Sequence, residues 1–254
     1  MSAQLATANP VSSPLAPSAI AGGMLSVIVP VYNEARYIRE VIERLQALPI
    51  PHEIIVVDDC STDGTADILR TLPESVRVIT HPTNVGKGMA IQSAIPYLRG
   101  AAVVVQDADL EYHPQELVAL FMALEREGAH AVFGSRFSGT IVGMRPEALA
   151  ANRFLTCLTN WLYGASLTDL ETCYKVIRTD VIKQISLQSK GFEIDPEMTA
   201  KLLRLGCRIH EMPISYAARS VRAGKKIRWT DACVAMATLF KYRWWRLRSG
   251  QHHG

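Results

Sequence analysis

The sequence predicts an α/β fold with a doubly wound, mostly parallel sheet in a single domain. Short apolar runs rich in β-branched residues alternate with segments of helical periodicity, and this alternation continues from Leu25 to Arg136. Strands separated by helices in this way indicate βαβ units, whose sheet is parallel and covered by helices. The chain has 254 residues, of which 48% are hydrophobic, so it can bury a substantial core and wholesale disorder is excluded.

The front half supplies five of the expected strands. Each is a short apolar run of the kind that is buried on both faces of a parallel sheet. The expected strands are 25–32, 53–59, 76–80, 101–109 and 131–136. The first helix between them has an apolar stripe at helical spacing, and the last opens with Pro114 at a favourable first position. The expected helical ranges are 35–47, 61–72 (a turn feeding a helix), 85–95 and 113–127.

Past Arg136 the regular alternation stops. We expect a long, mostly apolar helix over 146–164, a strand over 172–178, a helix over 196–205, a strand over 208–216 and a final amphipathic helix over 229–248. Because there is no internal repeat and no linker, this back half belongs to the same domain. The expected division is a disordered tail over 1–23, a domain over 24–248 with halves 24–136 and 137–248, and a tail over 249–254.

Composition excludes several classes of protein. The first residues lack both the positive start and the continuous apolar run of a signal peptide. The longest weakly charged stretch, 154–167, is shorter than the ~20 apolar residues that a membrane-spanning helix needs. A formal net charge of +3 does not require a nucleic acid partner. Five scattered cysteines without a C-x-x-C pair indicate a reducing, cytoplasmic compartment and small core residues, rather than disulfides or zinc.

Acidic residues gather where the expected parallel strands end, which is the edge at which open α/β sheets bind ligands. Asp58 and Asp59 end the second strand, and Asp107 and Asp109 end the fourth. Carboxylates that converge on one edge repel each other unless a cation lies among them. Two carboxylates one residue apart can hold Mg²⁺ or Mn²⁺, usually together with substrate phosphates. Glu111 is either a third ligand or a solvated loop carboxylate.

Two common phosphate-binding motifs are absent. Gly86-Lys87-Gly88 resembles the end of a P-loop, but His81 stands where that motif needs its first glycine. No G-x-G-x-x-G follows the first strand, so a dinucleotide-binding Rossmann site is unsupported. These absences disfavour a P-loop kinase and a dehydrogenase, and they leave a nucleotide site built from a metal ion and carboxylates.

Five motifs in order along the chain carry a resemblance to a known family. They are VIVPVYNE, EIIVVDDCSTDGT, NVGKGMAI, VVVQDADLEYHPQEL and GSRF. Together they resemble the family 2 inverting glycosyltransferases of the GT-A fold, and most closely the polyprenyl- and dolichyl-phosphate sugar synthases such as the mannose synthases. DLETCYK, FEIDPE and EMPI resemble the second half of that group, so the likeness covers Leu25 to about Lys226.

The resemblance implies a reaction and a set of site residues. A hexose, mannose or glucose, would pass with inversion from GDP-mannose or UDP-glucose to a polyprenyl phosphate, with Mg²⁺ or Mn²⁺ as cofactor. The implied nucleotide-sugar pocket is Pro30, Tyr32, Glu34, Val56, Asp58, Asp107, Ala108, Asp109, Arg219 and Lys225. The implied metal ligands are Asp107, Asp109 and Glu111, the implied acceptor-phosphate ligands are Arg136 and Arg153, and the implied catalytic residues are Asp109, Arg136 and Lys225.

The sequence departs from the pattern of this group in three respects. Glu111 stands where dolichyl-phosphate mannose synthases usually have Gln, which leaves the sugar or metal preference open. The two C-terminal membrane helices of many bacterial relatives are missing, so the protein is expected to reach its lipid from the membrane surface. There is also no Q-x-x-R-W, which disfavours the processive polysaccharide synthases.

The nature of the acceptor decides whether a general base is needed. A phosphomonoester has a second pKa near ~6, so at neutral pH it is largely dianionic and already nucleophilic. A sugar hydroxyl would need a carboxylate base, for which Asp169, Asp195 and Glu197 are candidates. They also have structural interpretations, since Asp195 would cap a helix and Asp169 could brace a turn. We favour the phosphate acceptor; the alternatives are a hydroxyl or other small acceptor, or an inactive nucleotide-sugar-binding or membrane scaffold protein.

Two segments combine residues that suit a membrane surface. The helical stretch 154–167 places large apolar residues at helical spacing, for which core packing is the alternative explanation. The last helix mixes aromatic with basic residues, as at a lipid headgroup interface, and its alternatives are a solvated helix or a homodimer contact. We expect peripheral attachment to the cytoplasmic face of a membrane and no nucleic acid partner.

Overall fold

The computed structural model describes residues 23–219 and 229–247. In this part of the chain seven strands form one sheet. The strands are β1 Leu25–Val31, β2 His52–Asp58, β3 Val76–Thr80, β4 Ala102–Val105, β5 Ala131–Val142, β6 Lys175–Arg178 and β7 Ile209–Ala217. The helices are α1 Ile38–Gln46, α2 Thr65–Leu69, α3 Lys87–Ala94, α4 Glu116–Arg126, α5 Pro146–Tyr163, α6 Thr179–Gln184, α7 Ile194–Arg204 and α8 Trp229–Tyr242, and a 3₁₀ turn covers Ile95–Tyr97.

The sheet has the strand order β3-β2-β1-β4-β6-β5-β7. All pairings are parallel except those of β6, which runs antiparallel to both β4 and β5. The predicted α/β class with a mostly parallel sheet is therefore confirmed. Because β6 is reversed, the segment before Lys175 lies beside the carboxyl end of β4, and the Cys173 thiol donates to the Val105 carbonyl at 3.4 Å.

The core forms mainly around the first strands of the sheet. β1 and β2 are buried almost throughout, as expected for strands covered on both faces. The apolar stripe of α1 is buried as its spacing predicts. A second, smaller apolar cluster joins α8 to α5 and α7, and it consists of Leu155, Leu162, Leu170, Ala200, Ala235, Leu239 and Tyr242. The back half is thus attached to the same domain through its own apolar contacts.

Several boundaries differ from the sequence-based expectation. β5 continues past Arg136 to Val142, because its last three residues pair with β7 beyond an irregularity in the ladder. The short helix α6 was not predicted, since it follows β6 directly without a turn signal. α8 ends at Tyr242 rather than Arg248, where i→i−3 bonds from the amides of Arg243 and Trp245 close the turn.

The five cysteines differ in how deeply they are buried. Cys173 and Cys207 are buried and Cys60 is partly buried, but Cys157 and Cys233 are exposed. The expectation that all five are core residues is therefore wrong for the last two, which lie on the outer faces of α5 and α8.

Some expectations concern residues that the structure does not describe. Lys225 and the predicted tails, apart from Gly23, fall outside the described ranges. Within residues 23–219 and 229–247, no helix combines the length and the apolar composition that crossing a bilayer requires.

Candidate active site

A recess of about 510 Å³ with several charged side chains in its lining lies over the carboxyl ends of β1 and β4. We call it the strand-end recess, and its lining includes Pro30, Tyr32, Glu34, Asp59, Gly86, Lys87, Asp107, Ala108, Asp109, Phe192 and Arg219. It coincides with the edge at which open α/β sheets bind ligands. The strand ends therefore bring together most of the residues that the resemblance assigns to the nucleotide-sugar pocket.

Arg219 joins the two strand ends by ion pairs. Its Nη1 donates to Glu34 Oε2 at 3.0 Å, and its Nη2 donates to Glu34 Oε1 and to Asp109 Oδ2, both at 3.1 Å. Burial disfavours the charge of this guanidinium, but Asp109, Glu34 and Glu111 outweigh that effect and raise the pKa of Arg219. The recess thus holds a fixed positive charge among carboxylates.

Lys87, at the start of α3, supplies a second cation. Its Nζ lies 2.8 Å from Asp107 Oδ1 and 3.8 Å from Asp195 Oδ2. Burial lowers the pKa of Lys87, yet Asp107 above all raises it well above the usual value, so the ammonium stays charged. Lys87 was not among the predicted site residues, although it lies in the family motif NVGKGMAI. Its place at the start of the helix that follows β3, beside the acidic edge, was the available signal.

Gly86 has a conformation that brings Lys87 to this edge. Its φ is +100°, and a Cβ there would lie 2.4 Å from the Lys190 carbonyl oxygen, so only glycine fits. Its amide donates to Asp59 Oδ2 at 2.7 Å. Asp59 is therefore a structural anchor for the loop that carries Lys87.

A second cavity, of about 370 Å³, adjoins the recess. We call it the helix-walled cavity. One wall is polar and comes from the sheet edge and α7, and it includes Glu111, Tyr112, Arg136, Glu171, Asp195 and Tyr216. The other wall comes from α5 and α8, and it includes Ala151, Leu155, Ala232, Val234 and Ala235. Lys87, Asp107 and Phe192 line both spaces, so the two meet at these residues.

Arg136 lies in the helix-walled cavity and is bound by Asp169. Its Nε donates to Asp169 Oδ2 at 2.7 Å and its Nη2 to Oδ1 at 2.8 Å, and both side chains are buried. Asp169 does not simply brace a turn, as its position indicated, but fixes the guanidinium. Arg153 is exposed and does not line the cavity, although both arginines lie over the ring of Phe137, at 5.7 and 5.8 Å.

The other two candidate bases are also paired with lysines. Asp195 lies inside the first turn of α7 and is not its cap, which is Glu193. Asp195 Oδ1 accepts a hydrogen bond from Lys175 Nζ at 2.9 Å. Glu197 is wholly buried, and its Oε1 lies 2.5 Å from Lys201 Nζ. The expectation that Asp195 caps a helix is therefore wrong, because a lysine on β6 holds the carboxylate instead.

The acidic residues fit a metal ion that a substrate would help to hold. Glu111 Oε2 accepts from the Tyr216 hydroxyl at 2.9 Å, and its Oε1 accepts from the Arg219 amide at 3.1 Å. Among the residues described, no group of three or more His, Cys, Asp or Glu side chains is arranged to hold a metal ion. Asp107 and Asp109 nevertheless offer hard oxygen donors beside an open recess, which suits Mg²⁺ or Mn²⁺ completed by phosphate oxygens.

Two residues of the implied nucleotide pocket lie outside the recess. Val56 is wholly buried in β2, where it packs in the core. Asp58 is buried as well, and its Oδ1 accepts a hydrogen bond from the Ser61 amide at 3.1 Å. Its neighbour Asp59 lines the recess instead.

Comparisons with known proteins agree with this geometry. Residues 26–185 match the family model described as glycosyl transferase family 2. The chain is 30% identical to the polyprenol monophosphomannose synthase of Mycolicibacterium smegmatis, over 78% of this chain and 79% of that protein. It is 32% identical to the undecaprenyl-phosphate mannosyltransferase of Micrococcus luteus, over 78% of this chain and 85% of that protein.

A solved structure supports the fold assignment. Glucosyl-3-phosphoglycerate synthase from Mycobacterium tuberculosis, crystallised with Mn²⁺, UDP and phosphoglyceric acid, superposes with a TM-score of 0.69 at 22% identity. The match covers 89% of this chain and 80% of that one. At this sequence identity it supports a shared fold and no further property. The resemblance inferred from the motifs is confirmed: the chain belongs to the family 2 glycosyltransferases and has a GT-A-type fold.

Proposed function

We propose that the protein transfers a hexose, mannose or glucose, from a nucleoside diphosphate sugar to a polyprenyl phosphate, with inversion and with Mg²⁺ or Mn²⁺. The observation that carries the proposal is the junction, at Lys87, Asp107 and Phe192, of the strand-end recess with a cavity whose outer wall from α5 and α8 includes small apolar residues. A nucleoside diphosphate suits the first space, and a phosphate with a hydrocarbon chain suits the second. The name of one relative states a polyprenol monophosphomannose product and that of another an undecaprenyl-phosphate acceptor, which supports this acceptor class.

The donor would occupy the strand-end recess. Asp107 and Asp109 would hold the metal ion, which when bound supplies charge neutralisation for the departing diphosphate. Lys87 and Arg219 already carry positive charge at this edge, where negative charge grows as the glycosidic bond breaks. Lys225 is proposed to add a third cation from a segment outside the described residues.

The acceptor phosphate would bind at Arg136. Nε and Nη2 of Arg136 are committed to Asp169, so the guanidinium is held in one orientation before the phosphate arrives. Arg153, over the same Phe137 ring, is proposed to approach the phosphate from the outer side. The phosphate needs no general base. Each of the three candidate bases for a sugar hydroxyl is paired with a cation; they are Asp169, Asp195 and Glu197. This pairing favours a phosphate acceptor over a hydroxyl.

The prenyl chain would leave along α5 and α8. Large apolar side chains are exposed on α5 and on the turn that follows α8, with Trp161 and Trp244 each 75% exposed. Exposed aromatic residues next to basic ones such as Lys241 and Arg243 suit a lipid headgroup interface. We therefore propose peripheral attachment to the cytoplasmic face of a membrane, with this helix pair against the lipid.

The decisive test is transfer from separately labelled donors. Protein and polyprenyl phosphate would be incubated with radiolabelled GDP-mannose, UDP-glucose or UDP-N-acetylglucosamine. We expect chloroform-extractable, acid-labile label from GDP-mannose or UDP-glucose, and none after chelation of divalent metal. Failure of all three donors to label the lipid phase would contradict the proposal, and label on a water-soluble saccharide would favour the hydroxyl acceptor.

A further inference from the structure

Glu171 is a carboxylic acid of the helix-walled cavity that takes no part in the proposed contacts with metal, donor or acceptor. It lies in the segment between α5 and β6 and lines the cavity. Its Oε1 is buried, and it finds no hydrogen-bond partner among the described residues. Buried polar atoms in native proteins are nearly always hydrogen-bonded, so an unmatched one at a cavity wall indicates a group that a ligand completes.

The charges around Glu171 show why this carboxyl differs from its neighbours. The cations nearby are paired with other acids: Arg136 and Lys87, which line the cavity, with Asp169 and Asp107, and Lys175, on β6, with Asp195. Within the described parts of the chain, Glu171 is recorded in no such ion pair. The other acids that line the cavity are Asp107, Glu111, Glu193, Asp195 and Asp231.

These surroundings favour the neutral form of Glu171. Burial, followed by repulsion from Asp195, raises the pKa of Glu171 to about 7. Lys175 and Arg136 act in the opposite direction and only partly offset these effects, and Asp169 adds to the repulsion. A neutral carboxyl differs from the paired carboxylates around it, because it carries a proton that it can donate.

We propose that Glu171 is a specificity-determining residue that, as a neutral acid, donates a hydrogen bond to the acceptor phosphate bound at Arg136. This inference rests on the proposed function. A phosphate dianion that enters this cavity meets cations whose charges are already matched, so an additional carboxylate would repel it. A protonated carboxyl does not repel the phosphate, adds a donor to the cavity that the guanidinium also lines, and limits tight binding to conditions in which it keeps its proton.

The sign of the pH effect separates this role from that of a general base. A donor loses its function as pH rises through 7, so the acceptor is bound less tightly at high pH. A base for a sugar hydroxyl gains function over the same interval, so turnover increases instead. Glutamine can donate through its amide at any pH but cannot accept a proton, and Glu171→Gln therefore distinguishes the two roles.

The test is calorimetric titration of farnesyl phosphate into the wild type and Glu171→Gln at pH 6 and pH 8. For a donor with a pKa of about 7, the wild-type Kd should rise roughly tenfold between these values, while the Kd of the variant stays nearly constant. Titration of the phosphate itself is common to both proteins and cancels in the comparison. Glu147→Gln, an exposed change on α5, should keep the wild-type pH dependence.

Labelled-sugar transfer in the same samples separates the two levels of the proposal. Suppose that transfer to the lipid occurs, but the wild type and Glu171→Gln lose affinity for farnesyl phosphate equally between pH 6 and pH 8. The role of Glu171 is then refuted, while the proposed function stands. The same conclusion follows if Glu171→Gln loses turnover without losing affinity. If neither transfer nor farnesyl phosphate binding occurs at any pH, both are refuted.

Discussion

The strand-end recess and the helix-walled cavity hold their charges in different ways. In the recess, Arg219 and Glu34 are partly exposed, with 15% and 20% of their side chains accessible. In the cavity, Arg136 and Asp169 have 7% and 0% accessible. An ion pair that keeps some exposure to water is less costly to break than one that is fully buried. Under the proposed function, the recess would exchange these ion pairs for contacts with a metal ion and a diphosphate, while the buried pair of the cavity would stay in place when the acceptor phosphate binds.

The largest effect is expected for Asp109→Asn in the recess. The change removes a proposed metal ligand and the Arg219 partner together, so transfer should fall by at least roughly 10²–10³-fold. Donor-dependent transfer measures it. Asp67→Asn, an exposed carboxylate of α2 paired with Arg70, is the matched control and should be active. Full activity of Asp109→Asn in the presence of a chelator would eliminate the metal role.

Asp169→Asn tests the buried pair of the cavity. Loss of the carboxylate leaves the Arg136 guanidinium buried without its counter-charge, so the free energy of unfolding should fall by about 3–5 kcal/mol. Urea unfolding measures this change. Glu40→Gln, which removes the exposed partner of Arg44, should cost under about 1 kcal/mol. Equal losses in the two variants would show that the cavity pair is no more fixed than a surface pair.

Val234→Glu sharpens the distinction between the two walls of the cavity. Val234 on α8 lines the cavity and is 46% exposed. A charge there should therefore weaken contact with the prenyl chain of the acceptor without unfolding the core. Lost contact with one or two methylenes would raise the KM for long-chain polyprenyl phosphate several-fold, with an unchanged donor KM. Met122→Glu, at a more exposed apolar position on α4, should alter neither constant. A change in the donor KM alone would contradict this assignment of the spaces.

The smallest effect is expected at the proposed lipid-facing surface, outside the cavity. Trp161→Ala and Trp244→Ala should each reduce sedimentation with anionic vesicles several-fold, because each removes an exposed aromatic ring from the proposed lipid face. Tyr97→Ala, an exposed aromatic in the 3₁₀ turn, should leave sedimentation unchanged. Absence of wild-type binding to anionic vesicles at low salt would rule out the surface altogether.

The recess could be predicted from sequence because its parts follow single strands directly. Asp107 and Asp109 come just after a recognisable apolar run, and the rule for parallel sheets then gives their common edge. Arg219 carries no local signal and was found only through the family resemblance. Lys87 was not predicted as a site residue, because its contact with Asp107 depends on how α3 follows β3 rather than on a local pattern.

The cavity could not be derived from local patterns. It depends on β6, whose antiparallel insertion between β4 and β5 brings Asp169 to Arg136 and Lys175 to Asp195. Strand direction is not encoded in a run of four residues. For the same reason Asp169 and Asp195 were interpreted as turn and cap residues, which are the commonest local roles of aspartate at such positions.

The central claim is that two different ligands occupy adjoining spaces that meet at Lys87 and Asp107. Calorimetric binding of UDP or GDP with Mn²⁺, and of farnesyl phosphate, to the wild type, Asp109→Asn and Arg136→Lys tests it most directly. We predict that the wild type binds nucleotide and farnesyl phosphate together, that Asp109→Asn loses only the nucleotide, and that Arg136→Lys is weakened roughly ten- to a hundredfold only for the phosphate. Competition between the two ligands for one site, or loss of both in either variant, would contradict the account.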